Sequence, residues 1–186
     1  MAHNGKQGQG SIVADVQTDR YTIRTRVDAD VATTEQRVRD ALQDEGFGVL
    51  TEIDVQATLR DKLDLGVSPY RILGASNPAL AHRALEVDAA IGSLLPCNVV
   101  VRSHPQGGSE IIAADPNTML GLADADIAPI AGQAAQRIQR AVHAAADKGR
   151  GRDQPALGLR LPRSGRGRGT PDWGTTRWRS RGGRCS

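Results

Sequence analysis

The sequence predicts an α+β fold: one curved sheet of about five strands, mixed or antiparallel, with helices packed mainly on one face. Three observations point there. Short apolar/polar alternations of strand length are interleaved with stretches of helical period, in the order β-α-β-α-β-α-β-β-α. The last two strands are separated by His104 to Ser109, where Gly107-Gly108 suits a hairpin turn. With one Phe, two Tyr, and both Trp near the C-terminus, the core must be built from Leu, Ile, Val and Ala.

Taken in order, Tyr21 to Val27 alternates Tyr21, Ile23, Thr25, Val27 against Thr22, Arg24, Arg26, the pattern of a half-buried strand. Thr33 with Gln36 has the form of a capping box, and Val38, Ala41 and Leu42 follow at helical spacing to Gly46, a suitable C-terminal cap. Phe47, Val49, Thr51, Ile53 and Val55 form one side of a second strand, after which Asp54 can cap a helix striped by Val55, Leu59 and Leu63. Tyr70 to Ala75 reads as a third strand. Asn77-Pro78 then starts a helix, Asn as the cap and Pro where its missing N–H costs nothing. Leu80, Ala81, Ala84, Leu85 and Ile91 form that helix's buried face. Pro96 to Arg102 and Glu110 to Ala114 are the hairpin strands. Asp115-Pro116 opens a short helical piece, and Asp126 is placed to cap a long final helix through Ile127, Ile130, Ala134, Ile138, Val142 and Ala145.

Charge divides the chain. Residues 1–147 carry 13 Lys/Arg against 19 Asp/Glu, whereas residues 148–186 carry 11 against 2, so the net +3 of the whole describes neither part. The expected organisation is a flexible arm over 1–19, an α+β domain over 20–147, and a disordered Arg/Gly-rich tail over 148–186. Arg166, Arg168, Trp173 and Trp178 in that tail offer phosphate contacts and base stacking, a basis for non-specific nucleic-acid association through the tail only. Two cysteines, Cys97 and Cys185, fall on either side of the divide and cannot staple the core. No stretch has the length of a signal peptide or a membrane span, so the expectation is a cytoplasmic protein without membrane attachment.

Few residues carry chemistry. Cys97 is the best nucleophile of the domain, although its alternation with Val99 and Val101 better suits a small buried hydrophobe. Ser76-Asn77-Pro78 opens a helix whose free N–H groups could meet an anionic ligand, although capping alone accounts for Asn77. Glu52 and Asp54 share a strand face, a spacing suited to acid/base work and to an ordinary solvated face. His82 and Glu86 are four apart on a helix, the spacing of a common surface pair. The histidines have no zinc spacing with either cysteine, the Gly-rich stretch Gly5 to Gly10 lacks the Gly-Lys-Ser/Thr ending of a phosphate loop, and the cofactor, if any, is unknown.

The strings Glu45-Gly46-Phe47-Gly48-Val49-Leu50-Thr51-Glu52-Ile53-Asp54-Val55, Tyr70-Arg71-Ile72-Leu73-Gly74-Ala75-Ser76-Asn77-Pro78 and Leu94-Leu95-Pro96-Cys97-Asn98-Val99 resemble, in order and spacing, the bacterial and archaeal family known as domain of unknown function 302. The resemblance covers about Tyr21 to Ala146. It implies a small cytoplasmic α+β domain that tends to dimerise, with no established activity. Members often have Gly-Ala-Cys-Asn-Pro at the second motif; Ser76 stands at the cysteine here, which removes a paired-thiol mechanism with Cys97.

If the third and fourth strands end side by side, Tyr70, Ser76, Asn77, Cys97 and Asn98 would line one cleft. The leading expectation is therefore a homodimeric binding module holding a small polar or anionic ligand there. The alternatives are a thiol-dependent enzyme or redox handler using Cys97, with His82 as base, and the tail-mediated nucleic-acid association.

Overall fold

The computed structural model describes residues 15–121 and 125–148. The expected arm and tail, and with them Arg166, Arg168, Trp173 and Trp178, lie outside the described residues except at their inner ends.

Six strands form one sheet: β1 (Gln17–Thr18), β2 (Thr22–Val27), β3 (Gly48–Asp54), β4 (Tyr70–Ser76), β5 (Cys97–Ser103) and β6 (Ser109–Ala114), in the spatial order β1-β2-β6-β5-β4-β3. Every pairing is antiparallel, so the parallel pairs that a mixed sheet would contain are absent from the described residues. The strand beyond the expected five is β1, two residues without apolar alternation that add to the edge of β2.

Helices α1 (Val31–Asp44) and α5 (Ala128–Asp147) pack together on one face of the sheet. That face carries Ile23 and Val27 of β2, Leu73 and Ala75 of β4, Val99 and Val101 of β5, and Ile111 and Ala113 of β6, joined by Val38 and Leu42 of α1 and Ile138, Ala141 and Val142 of α5. A second cluster gathers Leu80 and Ala84 of α3 (Pro78–Val87), Ile91 of the 3-10 turn Ala89–Leu94, Leu120 of α4 (Pro116–Leu120) and Ile130, Ala131 and Ala134 from the first half of α5. One long helix thus spans two cores. Inside the main core, Ser109 donates to Thr34 over 2.7 Å, each hydroxyl satisfying the other where a lone one would cost stability.

Local chemistry sets the boundaries, with two departures from expectation. Asp30, not Thr33, caps α1: its carboxylate accepts from the Thr33 N–H at 2.8 Å, and that hydrogen bond holds its pKa below the ordinary value. Asp30, three residues earlier, accepts from the N–H of its own third helical residue, Thr33, so the helix begins sooner. Asp126 lies in the 3-10 turn Ala125–Ile127, and α5 starts after Ile127 with no side-chain cap. Asp54 and Asn77 cap α2 (Val55–Leu63) and α3 as expected, accepting from Ala57 and Leu80. The C-terminus of α1 is tied to α5 by Glu45, which accepts from Arg140 at 2.9 and 2.7 Å; that hydrogen bond lowers the Glu45 pKa.

A bulge at Leu50, between the pairs Val49↔Ala75 and Thr51↔Gly74, reverses the facing of β3. Val49 packs on the main core, while Thr51 and Ile53 turn to the opposite face and Glu52 and Asp54 turn towards α1. Strict alternation would have kept Val49, Thr51 and Ile53 together.

Candidate functional site

The five residues expected to share a cleft do not meet. Ser76, Asn77 and Cys97 border a cavity of about 30 Å³ also lined by Phe47, Leu80, Ala84, Leu95, Ile130 and Ala134, at the seam of the two core clusters. This volume admits about one water molecule, against the several hundred Å³ of a metabolite pocket. Tyr70 begins β4 whereas Ser76 ends it, a separation of about 20 Å at strand rise, and Tyr70 pairs instead with Arg102. Asn98, opposite Gly74, is exposed on the sheet face turned away from Cys97. The Asn77 side chain is spent on its cap, accepting from the Leu80 N–H at 3.1 Å.

Cys97 lies beside Ala75 and packs on the main core. Burial pushes its pKa up to about 11 from an ordinary 9.0. Near neutrality it is a thiol and a poor nucleophile. A rise of that size predicts native-state alkylation by iodoacetamide at pH 7.5 about 100-fold slower than that of a free cysteine peptide. The same rise makes stability fall as pH climbs from 9 through 11, because the unfolded chain loses the proton first. Urea titrations across that range should show the fall, and Cys97→Val should flatten it.

Glu52 and Asp54 are also committed. Arg71 donates to Glu52 at 3.3 Å and pairs with Asp54 at 2.9 Å, while Arg39 bridges Glu52 and Glu35, the latter at 2.7 Å. The result is a network of three carboxylates and two guanidiniums that fixes β3, β4 and α1 at one end of the sheet. His82 and Glu86 form an exposed surface pair at 3.7 Å. Among the described residues no three His, Cys, Asp or Glu side chains converge as a metal site.

A larger opening sits at the end of the sheet beside that network. It is a cleft of about 890 Å³ between the first turn of α1 and the β5–β6 turn, where Arg26, Arg71, Asp28, Asp30 and Glu35 supply both signs of charge and Gln106 a neutral amide. Asp28 is the least committed of these groups: its side chain is 96% exposed and stands 4.0 Å from the Arg26 guanidinium. Arg26 is held in place by the Gln106 side chain at 3.1 Å and the Gln106 and Gly107 carbonyls at 3.0 and 3.2 Å. Gly108 is obligatory in the wall: its φ is +71°, and a Cβ there would lie 2.5 Å from the Val27 carbonyl oxygen. Sequence reasoning missed this cleft because its parts come from four separate segments without a motif. The available signal was the Asp28-x-Asp30 pair at a strand end facing a Gly-Gly turn.

The model of the domain of unknown function DUF302 matches residues 23–145. The chain belongs to that family. It is similar to an uncharacterised conserved DUF302 protein from Bacillus stearothermophilus whose crystal structure is 29% identical, with a TM-score of 0.62, over 71% of this chain and 100% of that one. No curated protein matches. Membership carries the fold of this DUF302 chain and no activity. No described helix is long and apolar enough to cross a membrane.

Proposed function

We propose that this DUF302 protein is a small homodimeric binding module for a polar ligand, and that the ligand site is the cleft between α1 and the β5–β6 turn. The observation that carries the reading is the cleft itself: about 890 Å³, within the size range of metabolite pockets, lined by Arg26 and Arg71 together with Asp28, Asp30 and Glu35. Two guanidiniums opposite three carboxylates suit a ligand that carries both an ammonium and an acidic group, such as a free amino acid or a short peptide, better than a simple anion. The protonated, half-buried Cys97 favours binding over thiol chemistry.

A thermal-shift screen of the full chain against free amino acids, dipeptides, spermidine and inorganic phosphate tests this. A zwitterion at about 100 times its Kd should stabilise the fold by about 2.7 kcal/mol. Asp28→Asn, a substitution at an exposed side chain, should abolish that gain, and Cys97→Ser should preserve it. Stabilisation by phosphate alone, or loss of the gain in Cys97→Ser but not in Asp28→Asn, would reject the reading.

A further inference from the structure

The cleft between α1 and the β5–β6 turn does not end at Asp28. A second opening of about 540 Å³ lies across the end of β2, and Arg26 and Asp28 line both. Strand alternation puts the two openings on opposite faces of the sheet. Arg71 and Ser103 of the first share the core face with Leu73 and Val101. Gln17, Arg24 and Glu110 of the second lie on the other face, because Ile23, Val27 and Ile111 fill the core. Asp28 follows the last residue of β2, where a ligand would round the end of the strand.

The second opening has an acidic surplus. Arg24 is paired with Asp19, and Glu110 is neutralised by Arg102 at 2.9 and 2.6 Å. Arg26 is held by the Gln106 side chain and by the Gln106 and Gly107 carbonyls. Asp15 accepts from the neutral Gln17 amide at 3.1 Å and has no ion pair among the described residues. Asp28 has only that same Arg26, at 4.0 Å. His104 accepts from the Gln106 N–H through Nδ1 at 3.2 Å, which leaves the ring proton on Nε2 as a donor for a ligand carbonyl.

We infer that the two openings form one site, and that its ligand is a peptide of at least three residues with a basic amino-terminal residue. The inference rests on the reading of the cleft as the ligand site. The carboxylate end lies by Arg71 in the cleft, the chain passes Asp28 at the end of β2, and the cationic end reaches Asp15. Length follows from the path: passing from one face of a sheet to the other covers about 10 Å, roughly three extended residues at about 3.4 Å each. Sign follows from the surplus: a Lys or Arg side chain, together with the terminal ammonium, meets the two carboxylates that no close cation satisfies, whereas an acidic residue there meets like charge. A free amino acid fills the first opening alone.

Calorimetric titration of the full chain with a peptide ladder tests this, at about 20 mM salt, where exposed charges are weakly screened. Gly-Gly-Gly should bind more tightly than Gly-Gly. Lys-Gly-Gly should bind about fivefold more tightly than Gly-Gly-Gly, and Glu-Gly-Gly about fivefold more weakly, the scale of one exposed ion pair. Asp15→Asn, at an exposed position, should cut the lysine advantage to less than about twofold, and Asp15→Lys should turn the preference towards Glu-Gly-Gly. His82→Ala, at an exposed position on α3, should leave the whole ladder unchanged. Equal affinity for Gly-Gly and every longer peptide, or a lysine preference that survives both Asp15 variants, would overturn the extension and leave the cleft standing as a site for amino acids and dipeptides. Absence of binding by all of them, Gly-Gly included, would overturn the reading of the cleft and this inference with it.

Discussion

Ile138→Ala should destabilise the domain by about 2–5 kcal/mol, the cost of a buried large aliphatic with little room for collapse around it. Ile138 is fully buried, on the face of α5 that meets α1 and the sheet, among side chains from all three. Among the described residues the core contains a single aromatic, Phe47, so its density comes from many small contacts that cannot re-form around a cavity without moving a helix. Urea denaturation should show a lower midpoint with an unchanged slope, the sign of lost stability without a change in the surface exposed. Leu85→Ala, at an exposed position, should cost less than about 0.5 kcal/mol in the same experiment.

Gly74→Val should be comparably severe, by the opposite mechanism. Gly74 sits in the middle of β4, where a Cβ would come 2.2 Å from Thr51 Oγ1 and 2.7 Å from Pro96 Cγ. Neither neighbour is the far end of a flexible side chain. Thr51 is a β-branched residue on the paired strand β3, and the Pro96 side chain is a closed ring at the entrance to β5. Overpacking of this kind costs about 1–3 kcal/mol or more. Thr51→Gly in the same chain should recover only part of it, since the Pro96 contact persists, and paired denaturation curves would show the partial recovery.

These two positions also show what can be read from sequence. Ile138 is legible because a long amphipathic helix repeats its signal over many turns. The strands, the hairpin and the Asn77 and Asp54 caps are legible because each is decided within a few neighbours. Where several local options compete, sequence does not choose between them: Asp30 and Thr33 both suit a helix start, and only the path of the chain out of β2 selects Asp30. The bulge at Leu50 carries no sequence signature and shifts half a strand to the other face. It also explains why Glu52 and Asp54 serve an ion network with Arg71 and Arg39, which their spacing alone does not distinguish from a solvated strand face.

The candidate site is less legible, for a topological reason. Adjacency of β4 and β5 follows from the order of the strands, but antiparallel register places Tyr70 and Ser76 at opposite ends of the sheet and turns Asn98 away from Cys97. The residues that do converge, Arg26, Asp28, Asp30, Glu35, Arg71 and Gln106, come together only once β2, β4, α1 and the β5–β6 turn reach the same end. No spacing along the chain encodes that meeting.

Backbone amide NMR, recorded while free arginine and a zwitterionic dipeptide are titrated into the full chain, tests the location of the site most directly. The account predicts progressive, saturable shifts at Asp28 to Ala32, Arg71 and Gln106 to Gly108, and little change around the enclosed cavity. Shifts centred instead on Ser76, Asn77 and Cys97, with the α1 and β5–β6 turn resonances unmoved, would contradict it.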